Sequence, residues 1–227
     1  MPEAPPLVNA LTVDVEEYYH AAIFRRGARI EPSCLESRVE RSVDELLALM
    51  GEHDARATFF VVGEVAAAHP AMVRAIAAEG HEVGCHSDRH ESVNLQSPDE
   101  FRADVRQAKA RIEDALGEPV TGYRAPNFSI GAAQSWAYRI LLEEGFRYDS
   151  STHPILHDRY GQPRAPRFPH EVYREGSDTL VEFPIGTVRI AGVNLPIGGG
   201  GYFRLAPLGL TLSRAFRRAG APGGVGE

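Results

Sequence analysis

Ala57-Thr58-Phe59-Phe60-Val61-Val62-Gly63 is a continuous apolar run closed by glycine. A strand with one wet face alternates apolar and polar residues. A continuous run of this length reads as a strand covered on both faces, as strands of parallel sheets are. Working outward from it, Val39, Val43, Leu46, Leu47 and Met50 recur at helical spacing on the N-terminal side, predicting a core-facing helix over residues 38–53. On the C-terminal side residues 64–79 read as helix, with Pro70 at a kink or restart and Gly80 just past the end. His81-Glu82-Val83-Gly84-Cys85 then reads as the next strand, and it ends at His86-Ser87-Asp88-Arg89-His90.

The alternation continues in both directions. Residues 7–15 are rich in β-formers and end at the acidic cluster Asp14-Val15-Glu16-Glu17. Ser97-Pro98-Asp99-Glu100 is a strong helix start, with Ser as N-cap, Pro in the first turn and Glu three residues on. Phe101, Val105, Ala108, Ile112 and Leu116 line one face of that helix, and Gly117 ends it. A short strand over residues 119–123 delivers Arg124-Ala125-Pro126-Asn127-Phe128. A helix over 132–144 follows, stopped by Gly145, and then a strand over 146–149 ending in Asp149-Ser150-Ser151. Strand and helix alternate at least four times, which predicts a parallel β/α architecture. Residues 153–170 read as loop, residues 179–183 as a strand, Gly198 to Gly201 as the rim of a cleft, and residues 205–218 as an amphipathic segment before a frayed tail.

Composition narrows the function classes. The chain has 227 residues, 43% hydrophobic and 24% charged, which fits one α/β domain with an ordinary core. A formal net charge of −7 argues against a nucleic-acid partner, which needs a basic face. Cys34 and Cys85 do not make a disulfide framework, and Cys85, alternating with His86, reads as a buried thiol. No signal peptide or membrane span is read at residues 1–6 or elsewhere, so the expected location is cytoplasmic.

The chemistry gathers where the strands end: Asp14 and Glu16, then His86 and His90, then Arg124, then Asp149. Active sites of parallel β/α folds are built at that end. Imidazoles four residues apart on a turn can reach one cation. A catalytic site of the zinc type wants a third protein ligand and an open position, and the candidate third ligand is a carboxylate of the Asp14/Glu16 pair. Residues two apart in a strand share a face, so Asp14 and Glu16 point together and Glu17 points elsewhere. His20 is read as a loop residue.

Several stretches in this order carry a resemblance: Thr12-Val13-Asp14-Val15-Glu16-Glu17-Tyr18-Tyr19-His20, Ala57-Thr58-Phe59-Phe60-Val61-Val62-Gly63, the histidine stretch, Tyr123-Arg124-Ala125-Pro126-Asn127-Phe128-Ser129, the run from Tyr148 to Gly161, and the glycine run with Tyr202-Phe203-Arg204. Over residues 11–218 the chain resembles the polysaccharide deacetylases of carbohydrate esterase family 4, the NodB-homology group. More narrowly, it resembles the subgroup encoded with bacterial exopolysaccharide and exosortase systems. The resemblance implies a distorted (β/α) barrel of about seven parallel strands, one NodB-homology domain over residues 1–227. It implies a metal-dependent hydrolase that removes N-acetyl groups from aminosugars of a polysaccharide. By position, Asp14 is the general base, Arg124 orients it, and Asp149 orients a catalytic histidine. Glu16, His86 and His90 are the metal ligands, in a chain that has Asp-Val-Glu where many members have adjacent aspartates. Pro126, Asn127 and Phe128 line the oxyanion and substrate site, with the Phe128 N–H as donor. The implied cofactor is a divalent metal, zinc first, with cobalt or another divalent ion as alternative. The partner is an N-acetylated polysaccharide or oligosaccharide. The family's last motif, a histidine in a His-Pro-Trp-type segment, has no counterpart before Glu227, and neither His153 nor His157 is given its part. The expectation is metal binding with weak turnover. Two competing readings are an allantoinase-like cyclic amide hydrolase, separated by its cyclic ureide substrate, and a catalytically impaired carbohydrate-binding protein, separated by saccharide affinity without hydrolysis.

Overall fold

The computed structural model describes residues 10–20, 35–157 and 160–197. The start of the expected first strand (residues 7–9), most of the stretch leading to Pro32, Cys34, the glycine run and the segment from 205 on lie outside the described residues.

The described chain builds one seven-stranded sheet with helices on its outside. In chain order the elements are β1 (Thr12–Val15), α1 (Val39–Glu52), β2 (Thr58–Val61), α2 (Gly63–Ala68), α3 (Pro70–Ala78), β3 (Glu82–Cys85), α4 (Pro98–Leu116), β4 (Gly122–Tyr123), α5 (Trp136–Glu143), β5 (Tyr148–Asp149), β6 (His170–Glu175) and β7 (Asp178–Glu182). A separate hairpin, β8 (Thr187–Ile190) with β9 (Val193–Pro196), follows. The strand order is β1-β2-β3-β4-β5-β7-β6. Pro70 restarts the helix as expected, and Ser97 and Glu100 form the capping box at the start of α4. Gly117 closes α4 in the left-handed conformation at φ 83°.

The expectation of about seven parallel strands needs one correction. Strands β1 to β5 and β7 are parallel, whereas β6 pairs antiparallel with β7. Only Gly176 and Ser177 join β6 to β7, and a connection that short cannot make the crossover a parallel pair requires. The strand β6 and the β8–β9 hairpin were not legible as strands. The expected 132–144 helix is also divided, with a 3₁₀ turn at Ala132–Gln134 ahead of α5.

Strand alternation sorts side chains into two layers. Phe59, Val61, Val83, Cys85 and Tyr123 face the helices and belong to the main core with Phe101, Ile112 and Leu141. The other face forms a lumen: Tyr148 donates its hydroxyl to Glu82, Thr58 donates to the same carboxylate, and the Arg124 guanidinium lies 4.2 Å over the Phe60 ring. The lumen proves that the sheet curls. In a flat sheet β1 and β4, three strands apart, would stand about 14 Å from each other. Yet Arg124, just past β4, reaches Thr12 Oγ1 at 2.9 Å and Asp14 Oδ1 at 2.8 Å.

Candidate active site at the barrel mouth

Arg124 is 3% exposed and saturates the lumen wall with hydrogen bonds. Nη1 donates to Thr12 and Asp14, Nη2 to Ser150 Oγ at 2.8 Å, and Nε to the Ser150 carbonyl at 3.0 Å. Four donated bonds over an aromatic face leave the guanidinium one position. Asp14 is therefore held at one oxygen by a fixed cation, while 31% of its side chain remains open to the mouth. Burial pushes the Asp14 carboxyl up, but Arg124, with the His86 and His90 imidazoles behind it, outweighs burial and holds it below the usual carboxylate range.

The histidine turn follows β3. His86 Nδ1 donates to the Arg124 carbonyl at 2.8 Å, since a carbonyl can only accept. The neutral His86 ring thus presents the lone pair of Nε2, the arrangement a metal-ligating imidazole needs. Burial lowers the His86 basicity, with Asp14 opposing. His90 Nε2 lies 2.9 Å from Glu16 Oε2, and the His86 and His90 ring centroids are 5.1 Å apart. Glu16 Oε2 is buried, with His90 Nε2 as its near neighbour. Two imidazoles and a carboxylate oxygen of this kind are a zinc-type donor set. They meet pairwise: among the described residues no three such side chains already close on a single point. Glu17 turns away as expected, accepting from Ser37 Oγ and from the Arg38 N–H at 3.1 Å at the start of α1.

The turn itself is held in a conformation that its residues do not prefer. Ser87 and His90 have φ of 67° and 54°. Left-handed backbone at non-glycine residues costs about 1–2 kcal/mol each. Asn127 and Phe128 repeat the pattern at 55° and 50° on the facing loop. Asn127 Nδ2 donates to Ser92 Oγ at 2.8 Å, tying that loop to the segment after His90.

Two expected roles meet a different environment. The Phe128 N–H already donates to the Ala125 carbonyl at 3.1 Å, closing a 3₁₀ turn over Pro126–Phe128, so that donor is not aimed into the mouth as the structure stands. The Phe128 ring instead packs on His153 and Tyr160, with centroids 5.5 Å away in both cases. Asp149 lies on the helix-facing side of β5, because its neighbours Tyr148 and Ser150 occupy the lumen. It is fully buried, accepts from Ser151 Oγ at 2.5 Å and stands in register with the equally buried Glu182. Through Ser151, which accepts the Ala125 N–H at 2.8 Å, Asp149 steadies the 125–128 loop.

One site neighbour escaped the sequence reading. His20 is 8% exposed, and its Nδ1 accepts the Glu17 N–H at 3.1 Å. Its ring stacks 6.0 Å from the His90 ring with 13° between their planes. The spacing Glu16 to His20, one helical turn, was the available signal.

The polysaccharide deacetylase family model matches residues 33–141, and a domain of unknown function, DUF3473, matches residues 150–223. Residues 33–141, just under half of the chain, are thus similar to the polysaccharide deacetylases. The second match supplies β6 and β7 to the same sheet as the first. A peptidoglycan-N-acetylglucosamine deacetylase of Bacillus cereus is 30% identical over 118 residues, 52% of this chain and 43% of that protein. A chitooligosaccharide deacetylase of Bradyrhizobium sp. is 34% identical over 83 residues, 36% of this chain and 38% of that one. The crystal structure of a candidate polysaccharide deacetylase from Mycobacterium smegmatis superposes with a TM-score of 0.62 at 27% identity, over 78% of this chain and 58% of that one. The chain therefore spans under half the length of these two curated relatives. Among the described residues no helix is long and apolar enough to cross a membrane.

Proposed function

We propose that this protein hydrolyses N-acetyl groups on aminosugars of a polysaccharide, with a divalent metal held by Glu16, His86 and His90. The observation that carries the reading is the 2.8 Å contact of Arg124 with Asp14 beside the two imidazoles at the barrel mouth. A hydrolase of this kind needs a carboxylate that stays ionised next to its nucleophile, and this contact supplies one. A bound zinc-type ion would supply Lewis acidity and a water whose pKa falls from about 15.7 toward about 7.

The chain's own residues do the rest. Asp14 takes a proton at the carboxylate oxygen that Arg124 leaves open. Arg124 keeps Asp14 from turning, being itself anchored on Ser150 and over Phe60. The 125–128 loop walls the acetamide side. A backbone donor to the developing oxyanion is worth about 3–4 kcal/mol, and recruiting the Phe128 N–H to that task requires it to leave or share Ala125 O. A group that protonates the departing amine is worth roughly 10²–10⁴ in rate.

The test is acetate release from N-acetylated chito-oligosaccharides and peptidoglycan fragments by zinc-loaded protein, compared with Asp14→Asn. Release by the wild type, reduced at least 100-fold in the variant, is the expected result. Saccharide binding with no acetate release would refute hydrolysis.

A further inference from the structure

The histidine turn is gripped from outside the barrel by one face of α4. Asp104 accepts the Asp88 N–H at 3.2 Å on both carboxylate oxygens and the Ser87 hydroxyl at 3.2 Å. Seven residues on, two turns along the same helix, Arg111 donates from Nη1 to both oxygens of Asp88, at 2.9 and 3.1 Å. The carbonyls of Ser87 and Asp88 accept from the N–H groups of Gly63 and Glu64 at 2.9 and 3.0 Å. Gly63 allows this approach because it has no side chain: a Cβ there would stand 2.5 Å from Asp88 Oδ1 and 2.9 Å from the Ala108 Cα of α4. The central residues of the turn, Ser87 and Asp88, are thus bound through backbone and side chain, while the imidazoles on either side point the other way, into the mouth.

We propose that Asp104 and Arg111 are positioning residues for the imidazole pair, holding the left-handed turn at Ser87 so that His86 and His90 face one point before any ion arrives. The proposal rests on the metal reading above and adds to it the device that presents the ligands. The physical case is that Ser87 and His90 stand at φ values an unrestrained turn would leave. Without the clamp, that turn must be reordered each time an ion binds, and the ordering is subtracted from affinity. Outer partners of this kind change metal affinity by about 10–100-fold when removed.

The experiment uses the full chain, stripped of metal and titrated with cobalt(II) alone. Affinity is followed by chelator competition and coordination by the visible absorption band. Asp104→Asn and Arg111→Gln are compared with the wild type and with Arg106→Gln, whose parent side chain binds Glu144 at the C-terminal end of α5. Urea unfolding of each metal-free protein is measured alongside. The expected result is a 10–100-fold loss of cobalt affinity and an altered absorption band in both clamp variants, with Arg106→Gln unchanged. Arg111→Gln carries the test should Asp104→Asn fold poorly. Wild-type affinity and an unchanged band in a folded clamp variant would overturn the proposal while leaving the metal reading intact. A wild type that binds no cobalt would overturn the ligand set, and the clamp's purpose with it.

Discussion

At the scale of single residues, the most unusual groups are the two carboxyls behind the site. Asp149 and Glu182 are neighbours in register on β5 and β7, and both are fully buried. Asp149 Oδ2 and Glu182 Oε2 have no donor, and one proton between them would satisfy both. Burial pushes Asp149 up to about 6 despite the hydrogen bond it accepts from Ser151. Burial and the Asp149 charge also push Glu182 well above the usual range. Tyr123, Tyr138 and Arg124 are the other titratable or charged groups near the pair. The sign follows directly. With folded pKa values above the unfolded ones, the native state holds the extra proton, so stability is fullest below about pH 4. It is lost as pH rises through about 6 and beyond. We expect the pair's contribution to urea-unfolding stability to fall by roughly 2–3 kcal/mol from about pH 4 to about pH 7. Glu182→Gln, whose amide brings its own hydrogen, should flatten most of that slope. An unchanged slope in the variant would show that the pair holds no shared proton. The residue types at these positions were visible in the chain, but their pairing was not: 33 positions separate them, and only the β5–β7 ladder sets them side by side.

At the scale of elements, the curl of the sheet rests on missing side chains as much as on present ones. A Cβ on Gly122 of β4 would stand 2.2 Å from the Tyr148 ring, and one on Gly84 of β3 would stand 2.6 Å from Phe60. Those two rings fill the lumen beneath Arg124, and the Tyr148 hydroxyl is further tied to Glu82 at 2.8 Å. Gly122→Ala should therefore cost about 2–3 kcal/mol, the upper range for overpacking, because the ring it strikes cannot retreat. Denaturant unfolding checks this, and a loss under 0.5 kcal/mol, the usual bound for a neutral surface change, would mean the lumen is loose. The parent helices and central strands were legible because their apolar spacing is a local property. Strands β4 and β5 were read at the right places, over 119–123 and 146–149, but too long, because two residues each are too few for periodicity to set their bounds. The strand β6 was hidden by the charged composition of His170–Glu175 at a sheet edge, where one face stays wet.

At the scale of the whole molecule, the proposed ligand set would link ion binding to folding, because its donors come from just past β1 and from the turn after β3. A ligand that binds only the native state adds about 2.7 kcal/mol at one hundred times its Kd. For a chain of this size that corresponds to roughly 5–10 °C in Tm. Zinc at that excess should raise the melting temperature of the wild type by this amount, and should leave His86→Ala unmoved, as read by calorimetry with and without chelator. Equal shifts in both proteins would place the ion elsewhere. The sequence by itself determined the β/α alternation, the helix caps and the polar residues at strand ends, since each depends on neighbours within a few positions. It also marked Asp14, Glu16, His86, His90 and Arg124 as residues at strand ends, which parallel strands deliver to one face. Only the tertiary structure decided which groups touch: that Arg124 crosses the lumen to Asp14, that Asp149 faces Glu182 behind the sheet, and that α4 grips the histidine turn. Those contacts depend on the curl of the sheet and the seating of a helix, which arise from packing summed over the whole chain and leave no periodic trace in any one segment.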